Sequence, residues 1–373
     1  MRKKLTFLIV CGLFFLITGC SQKNQITMPK QTTSDFVKTT NYSNYSRQQK
    51  KLAKFIETKM ETKQGIYTNY RQQKYVASEA RGHELLSESS GLWLEYLVET
   101  HQYAKFRSFY RATKKTFDQG DQFSYRYTPK TKKKFNVNAT LDDLRIINAL
   151  QKYADLTGNS KYRKEAATRF ANLKKNTMTK GKIASFYDVK AHKASSEGFL
   201  PYYDLQTLRY FESATAADKK MYHQQLAVVK AGYLGDAFPL YANSYNWQNQ
   251  AYSTTDLNTS EALETILHLA EVGKVKQVTL NWLQRQVENN TLYNAYSVNG
   301  SVMSQNHSAG SYALAAEIFA VEKDPKMYYK AMTLAWEYQI PDKSSPLYGA
   351  IGIEHKKEAY SYNNLTTLVA TQY

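Results

Sequence analysis

Apolar residues recur at intervals of three and four along almost the whole chain after residue 46, which is the period of an amphipathic helix. Short polar or glycine-bearing turns, such as residues 157–159 (TGN), separate one periodic stretch from the next. The pattern predicts about twelve helices. They fall at residues 47–60, 88–101, 103–117, 141–157, 160–176, 203–212, 217–232, 258–272, 276–289, 309–321, 325–338 and 361–371.

The predicted helices pair into hairpins, and the first member of a pair is usually the more apolar one. Residues 144–150 (LRIINAL) are mostly apolar, for example, whereas residues 162–170 (YRKEAATRF) carry many charges. Apolar inner helices that alternate with amphipathic outer helices predict an all-α fold, the (α/α)6 barrel, in which six hairpins close into a toroid. The long connections precede the inner helices and therefore lie at one end, where we expect function. They are residues 61–87, 118–140, 177–202, 233–257, 290–308 and 339–360.

The first twenty residues have the pattern of a bacterial lipoprotein signal. Residues 2–4 are basic and precede an apolar run at 5–17, which is too short to span a membrane comfortably. Residues 17–20 (ITGC) then resemble a lipobox, and the resemblance implies cleavage before Cys20 and acylation of that cysteine, for example by palmitate. We expect the mature protein on the outer face of the bacterial cytoplasmic membrane. The predicted division is a signal peptide at 1–19, a lipid-anchored polar tether at 20–45 and the (α/α)6 domain at 46–373.

Composition narrows the chemistry that is open to this domain. The two cysteines are Cys11, in the predicted signal, and Cys20, so we expect no disulfide and no thiol nucleophile. The histidines are scattered, and motifs for zinc, nucleotide phosphates or a nucleophilic serine are missing, so we expect no metal and no cofactor. The net charge of +18 suits an anionic membrane or an acidic polysaccharide, and no nucleic-acid motif appears. The 31 tyrosines suit carbohydrate, because their rings stack on sugars while the hydroxyls donate hydrogen bonds.

Acidic residues gather near the predicted starts of inner helices: Glu88, Asp142, Asp143, Asp204, Asp256 and Glu261. Inner N-termini face one end of a toroid, so these carboxylates should converge on one cleft. Two carboxylates across a cleft are what glycoside hydrolysis requires. Helix capping is the alternative reading, because residues 140–143 (TLDD) and 258–261 (NTSE) both match a capping box. An acid in a first turn is also well placed against the helix dipole.

Several segments resemble glycoside hydrolase family 8. Residues 87–94 (SESSGLWL) are similar to the family's S-E-G-x-G-Y-G-M segment, whose glutamate is the general acid. Residues 139–146 (ATLDDLRI) are similar to its A-T-D-A-D-L-D-I segment, 201–204 (PYYD) to its P-S-Y stretch and 360–365 (YSYNNL) to its closing Y-Y-S-x-x-L. The resemblance covers most of residues 65–373. It implies an inverting β-glycanase on an (α/α)6 barrel.

The resemblance assigns the general acid to Glu88. The family's first aspartate of A-T-D-A-D falls on Leu141, so Asp142, next to it, and Asp143 are expected to hold the distorted sugar. Aromatic and amide groups near the same end are candidates for stacking on the substrate or positioning it. These candidates are Tyr203, Trp247, Tyr252, Tyr362 and Asn363.

The catalytic base stays open, because the family's Y-D-A-x-R segment has no clear copy. Asp256 takes the base's place in one register, and Asn258 takes it in another. Glu261 is also a candidate, but it lies three residues after Asn258 and could fold back onto that cap. The sequence therefore ranks Asp256 ahead of Glu261.

These observations predict a monomeric, membrane-anchored endo-glycanase that acts on a cell-surface or secreted polysaccharide. Two alternatives come from other classes. The first is a catalytically weak polysaccharide-binding lipoprotein that assists exopolysaccharide export. The second is a polysaccharide lyase on the same barrel.

Overall fold

A computed structural model describes residues 41–179 and 181–373, together with Pro29. The predictions for the signal peptide and for the acylated Cys20 lie outside these residues, as does nearly all of the predicted tether. The division of the chain into these segments therefore stays a prediction. Within the described residues, no helix combines the length and the apolar character that crossing a membrane requires.

Twelve α-helices are present in the described residues, and they confirm the predicted (α/α)6 barrel. The inner helices are α2 (Ser87–Glu99), α4 (Thr140–Thr157), α6 (Leu205–Phe211), α8 (Thr259–Glu271), α10 (Ala309–Val321) and α12 (Ser361–Ala370). The outer helices are α1 (Ser46–Phe55), α3 (Tyr103–Phe117), α5 (Ser160–Thr177), α7 (Ala216–Ala231), α9 (Gln277–Glu288) and α11 (Pro325–Trp336). One π-helical turn, Ile56–Met60, continues α1. Most bounds agree with the predicted ones to within one or two residues.

Inner and outer helices differ in burial as their sequences predict. Every residue of α10 from Ala309 to Ala320 is buried, because this helix is apolar on all sides. The outer helix α9 buries only a stripe, which comprises Thr279, Trp282, Leu283 and Val287. A helix that buries all its faces belongs at the centre of the ring, whereas a one-sided helix belongs at its rim.

The ring closes where the start of the described domain meets its end. The N–H of Tyr42 donates to the carbonyl oxygen of Tyr373 at 2.8 Å, and the hydroxyl of Tyr329 donates to the carbonyl oxygen of Tyr42 at 2.6 Å. The hydroxyl of Tyr328 on α11 donates to the carbonyl oxygen of Ala370 on α12 at 3.0 Å. Helix α1 therefore serves as the outer partner of α12, and it completes the sixth hairpin.

Short strands occupy the long connections at one end of the barrel. They are β1 (Leu85–Leu86), β2 (Arg126–Thr128), β3 (Lys133–Lys134), β4 (Met178–Thr179), β5 (Lys182–Ile183), β6 (Tyr187–Asp188), β7 (Lys193–Ala194), β8 (Glu197–Phe199), β9 (Ser244–Asn246), β10 (Ala251–Tyr252), β11 (Leu257–Asn258), β12 (Ala295–Tyr296) and β13 (Val302–Ser304). They form antiparallel sheets in the orders β1-β2-β3, β10-β9-β8 and β11-β12-β13, with two further hairpins, β4-β5 and β6-β7. Strand β1 leads directly into α2, and β11 leads directly into α8.

A buried ion pair holds the sheet that leads into α2. Arg126 on β2 donates from Nε to Glu84 Oε1 at 2.9 Å and from one terminal nitrogen to Glu84 Oε2 at 2.7 Å. The hydroxyl of Thr128 adds a third hydrogen bond to the same carboxylate at 2.7 Å. Arg126 is fully buried, so the bidentate pair fixes β2 against the segment just before β1. The start of α2 is thereby held from outside the helix.

Candidate active site

Glu88 lies in the first turn of α2, at the end of the barrel where the loops gather. The small residues around it let neighbouring helices come close. A Cβ at Gly91 would stand 2.9 Å from Cβ of Arg145 on α4. On the other side, Ser89 Oγ donates to Ser361 Oγ on α12 at 2.8 Å. The run of small residues therefore packs α2 into the inner ring, while the Glu88 side chain remains partly exposed to the cleft.

Asp142, in the first turn of α4, is the acid whose charge raises the pKa of Glu88 most. Ser87 Oγ donates to Asp142 Oδ2 at 2.6 Å, and the N–H of Glu88 donates to the same carboxylate. Burial is the main cause that raises the pKa of both carboxyl groups, and the charge of Asp142 raises the pKa of Glu88 further. A helix N-terminus normally favours the charged form of an acid, so burial and like charge outweigh the dipole here.

A cation and two further oxygen groups lie behind this pair. Arg145, one helical turn after Asp142, forms an ion pair with Glu264 of α8 across the barrel. The hydroxyl of Tyr362 donates to the same Glu264 oxygen at 3.2 Å. The charge of Arg145 lowers the pKa of Glu88 and opposes the effect of the surrounding acids. The carboxyl groups of Glu88, Asp142 and Glu264 thus face one guanidinium, which favours a proton on at least one carboxyl.

The start of α8 brings Glu261 to the same place. Asn258 is the N-cap, as the sequence predicts, and its side-chain oxygen accepts the N–H groups of Ser260 and Glu261 at 3.0 and 3.4 Å. Among the described residues, however, the Glu261 carboxylate does not accept the N–H of Asn258 as a capping box would require. Burial and the charge of Glu264 raise the pKa of Glu261, whose own charge raises the pKa of Glu88.

Asp256 forms no hydrogen bond or ion pair with these side chains within the described residues. It sits on the connection before β11, and its side chain is exposed. The charges with the largest effects on the pKa of Glu88 are those of Asp142, Arg145, Glu264 and Glu261. Of the two base candidates, Glu261 is therefore the one whose charge is among those with the largest effects on Glu88.

Asp143 has partners on the other side of α4. Its carboxylate accepts the backbone N–H of Phe123 at 2.9 Å and the side-chain N–H of Asn138 at 2.7 Å. Burial raises its pKa to about 7, while these two hydrogen bonds act in the opposite direction. Asp143 thus ties the connection before α4 to the helix and does not join Glu88, whereas its neighbour Asp142 does.

Three of the predicted sugar-binding aromatics have contacts with structural groups. Tyr203 is fully buried. Trp247 Nε1 donates to the carbonyl oxygen of Ile183 on β5 at 3.3 Å, and the hydroxyl of Tyr252 donates to the carbonyl oxygen of Val228 on α7 at 2.6 Å. The hydrogen bonds of Trp247 and Tyr252 therefore tie the β9-β10 hairpin to its neighbours, and their role toward a sugar stays a prediction.

The other two candidates lie at the start of α12. Tyr362 joins the group around Glu88 through Glu264, and both burial and Glu264 raise its pKa. Asn363 accepts a hydrogen bond from Ser308 Oγ at 2.9 Å, and its oxygen would stand 2.7 Å from a Cβ at Gly310. Asn363 therefore fixes the start of α10 against α12, next to the cleft.

Sequence reasoning missed Arg145, Glu264 and Tyr202. The first two lie three residues after Asp142 and Glu261, on the same face and one turn deeper, and this spacing was the available signal. The pKa of Tyr202 is raised by burial and then by the charges of Asp142, Glu88 and Glu261, so its hydroxyl lies among them. The prediction chose the next residue, Tyr203, because the motif P-Y-Y-D does not tell which ring faces the cleft.

Comparisons with known proteins agree with this architecture. No family model matches the chain. YdaJ of Bacillus subtilis, which is named as a lipoprotein, is 25% identical to this chain over 291 residues. The match covers 76% of this chain and 78% of the relative. A Clostridium perfringens structure described as a novel alpha-amylase is 26% identical with a TM-score of 0.81, over 87% of this chain and 97% of the other. A family 8 endoglucanase from Klebsiella pneumoniae has a TM-score of 0.61 at 14% identity, over 86% and 97% of the two chains.

These similarities establish the architecture of the chain. The chain is an (α/α)6 barrel of the kind on which several glycosidases are built, with a cleft lined by carboxylates at the loop end. Its fold is similar to those of family 8 enzymes, as the resemblance of its sequence segments predicts. At 14% identity the Klebsiella enzyme shows the common fold and does not by itself assign an activity.

Proposed function

We propose that the protein is a glycoside hydrolase in which Glu88 is the general acid. The observation that carries this proposal is the environment of Glu88, a partly exposed carboxyl group surrounded by the carboxyls of Asp142, Glu261 and Glu264. Burial and these charges raise its pKa to about 8, so the group keeps a proton at neutral pH. A protonated carboxyl at the surface of a cleft can donate that proton to the oxygen of a departing sugar.

The proposed base is Glu261. In an inverting mechanism the second carboxylate activates a water on the opposite face of the sugar ring, at about 6.5–9.5 Å from the acid. Glu261 starts another inner helix and is exposed at the cleft, which suits a group that must hold water. Asp142 and Tyr202 then contact the sugar ring, and Arg145 with Glu264 and Tyr362 forms the floor beneath it.

The substrate in this proposal is a polysaccharide. The sequence resemblance and the structural comparisons favour different glycosidic linkages. The resemblance to family 8 favours a β-linked glycan such as glucan, chitosan or xylan. The Clostridium perfringens structure is described as an alpha-amylase, and its identity of 26% exceeds the 14% of the Klebsiella enzyme. We therefore rank an α-linked glucan ahead of a β-linked glycan as the substrate.

The proposed location is the outer face of the membrane, with the anchor on Cys20. The Bacillus subtilis relative, whose name describes a lipoprotein, supports membrane anchoring. Replacing Cys20 by Ala should release the protein from the membrane fraction or leave the signal uncleaved. Immunoblots of fractionated cells measure this, and a Cys11→Ala variant is the matched control. Unchanged retention and processing of the Cys20 variant would count against the anchor.

The test of the enzymatic proposal is the release of reducing ends from a panel of α-linked and β-linked polysaccharides, for the parent protein and the Glu88→Gln variant. Glutamine keeps the shape but carries no acidic proton, so turnover should fall on the order of a hundredfold or more. Proton NMR of the first product would show the inverted anomer. Tight binding of a glycan by both proteins without reducing ends would instead support the alternative of a polysaccharide-binding lipoprotein.

A further inference from the structure

A second group of ionisable residues lies inside the barrel, away from Glu88. It lines a cavity of about 190 Å³ that extends from Arg145 and Glu264 to Val321 and Lys323. The inner helices start at the cleft end, and Val321 is the last residue of α10, so the cavity runs toward the opposite end of the barrel. Lys323, which also lines the cavity, is exposed.

Three side chains of this cavity could share one ligand. Asp204, His268 and Glu271 each place a donor atom within 4.8 Å of the other two. Asp204 and His268 are 6% and 7% exposed, so both are withdrawn from bulk water. Two of the three lie on one face of α8, three residues apart, and the third precedes α6. Chain folding thus joins donors that are far apart in the sequence.

His268 has unused hydrogen-bonding capacity. Its Nδ1 stands 3.3 Å from Glu271 Oε2, whereas Nε2 has no hydrogen-bond partner among the described residues. Glu264 Oε2 lies 3.9 Å from Nε2, which is too far for a hydrogen bond. A buried ring nitrogen without a partner is costly in a native structure, and it calls for a ligand or water in the cavity.

The charges of the cavity favour a cation. Its lining contains the acids Glu95, Asp204, Glu264, Glu271 and Glu317 against the bases Arg145, Lys152 and Lys323. Arg145 pairs with Glu264, and Lys152 contacts Glu95 and Glu99 at 3.1 and 2.8 Å. Within the described residues, no lysine or arginine forms an ion pair with Asp204 or Glu271. Buried carboxylates without a cation are unfavourable unless they are paired or coordinate a metal.

We propose that Asp204, His268 and Glu271 bind one divalent transition-metal ion, with water from the cavity completing the coordination. One imidazole and two carboxylates form a donor set that zinc and related metals accept, usually at bond lengths of about 2.0–2.2 Å. Donors on one metal are then roughly 3–4 Å apart, so the three side chains would close by about an ångström. The sequence predicts no metal, because its histidines are scattered and form no HxxxH or HExxH arrangement.

The metal would fix the shortest inner helix in place. Asp204 is the N-cap of α6, and its Oδ1 accepts the N–H of Thr207 at 2.9 Å. Its second oxygen can bind the metal and tie the start of α6 to α8. Tyr202, two residues earlier, lies among the charged groups around Glu88. The metal site therefore holds the segment that presents Tyr202 to the cleft.

An imidazolium between the two carboxylates is the competing explanation. Burial lowers the pKa of His268, but the charges of Glu271 and Asp204 outweigh it and raise the pKa overall. In that case His268 itself supplies the missing positive charge, and the cavity holds only water. The two explanations differ in whether the protein takes up metal at neutral pH.

The test uses the purified full-length chain, stripped with a chelator and dialysed against zinc chloride. Elemental analysis should find about one zinc per chain, and zinc should raise the melting temperature. His268→Gln and Asp204→Asn should each weaken zinc binding on the order of tenfold or more. His223→Gln, an exposed histidine on α7, is the matched control and should keep the parent affinity.

Circular dichroism and melting of the metal-free variants show whether they are folded, and Glu271→Gln is a second variant if one of them is not. Calcium and magnesium chloride serve as parallel probes and should bind weakly, because these ions prefer oxygen donors only. The proposal is wrong if the parent protein takes up no more zinc than the His268 variant. It is equally wrong if zinc leaves the melting temperature of the parent protein unchanged.

Discussion

Replacing Glu88 by Gln should abolish turnover and at the same time stabilise the fold at alkaline pH. The carboxyl of Glu88 has its pKa raised from 4.5 to about 8, mainly by burial and then by Asp142. An acid whose pKa is higher in the folded state binds more protons there than in the unfolded chain. Stability must therefore fall as pH rises from about 4.5 to about 8.

The size of this change in the free energy of unfolding follows from the pKa shift of Glu88. At about 1.36 kcal/mol per pKa unit, the rise to about 8 corresponds to at most about 5 kcal/mol. Water in the cleft and the electrostatic interaction with Asp142, which also titrates, reduce this figure, so we expect on the order of 2–3 kcal/mol. Glutamine carries no charge at any pH. The free energy of unfolding of the variant should equal that of the parent near pH 4 and exceed it by about 2–3 kcal/mol near pH 9.

Urea denaturation followed by circular dichroism at several pH values measures this difference. Glu354→Gln, a substitution at an exposed position, is the matched control. The stability difference between this variant and the parent should not change with pH. A stability gain that is the same at all pH values would refute the reasoning, because it would arise from packing and not from a titrating proton. A loss of stability that grows with pH would refute it as well.

Three further predictions follow from the site and the sheet beside it. The value of kcat/KM should fall as pH rises through about 8, because the acid Glu88 must be protonated, and a pH–rate profile measures this. Glu261→Gln should lower turnover on the order of a hundredfold with its fold retained, whereas Asp256→Asn should stay near the parent; the reverse pattern would move the base to Asp256. Arg126→Met leaves Glu84 buried without its partner and should cost about 3–5 kcal/mol in a denaturation experiment, and a loss below about 1 kcal/mol would contradict the role of this pair.

The sequence was informative wherever a local pattern decides the structure. The period of apolar residues predicted the helices, and the full burial of Ala309–Ala320 follows from a stretch that is apolar on all sides. The cap at Asn258 was also predictable, because capping depends on the next three residues alone. Glu88 could be singled out by its position at the start of an inner helix.

The sequence was less informative about contacts that cross the barrel. The ion pair between Arg145 and Glu264 joins residues 119 positions apart, and no local spacing indicates which helices face each other. The same holds for the choice between Tyr202 and Tyr203, since adjacent residues in a short turn point in different directions. Burial of Tyr203 and the charges around Tyr202 become visible only when the neighbouring helices are in place.

The closure of the ring through α1 has a consequence for how the protein stands on a surface. Inner helices start at the cleft end, and an outer helix such as α1 runs the other way, so Ser46 lies at the opposite end. Tyr42 is held there by its hydrogen bond to Tyr373 at 2.8 Å. An anchor before residue 41 would therefore be joined to the barrel at the end opposite to the cleft. The inner helix α2, with 13 residues, spans roughly 20 Å between the two ends. With the anchor proposed on Cys20, the cleft would lie at the end of the barrel farther from the point where the chain enters it, on the side open to polymer.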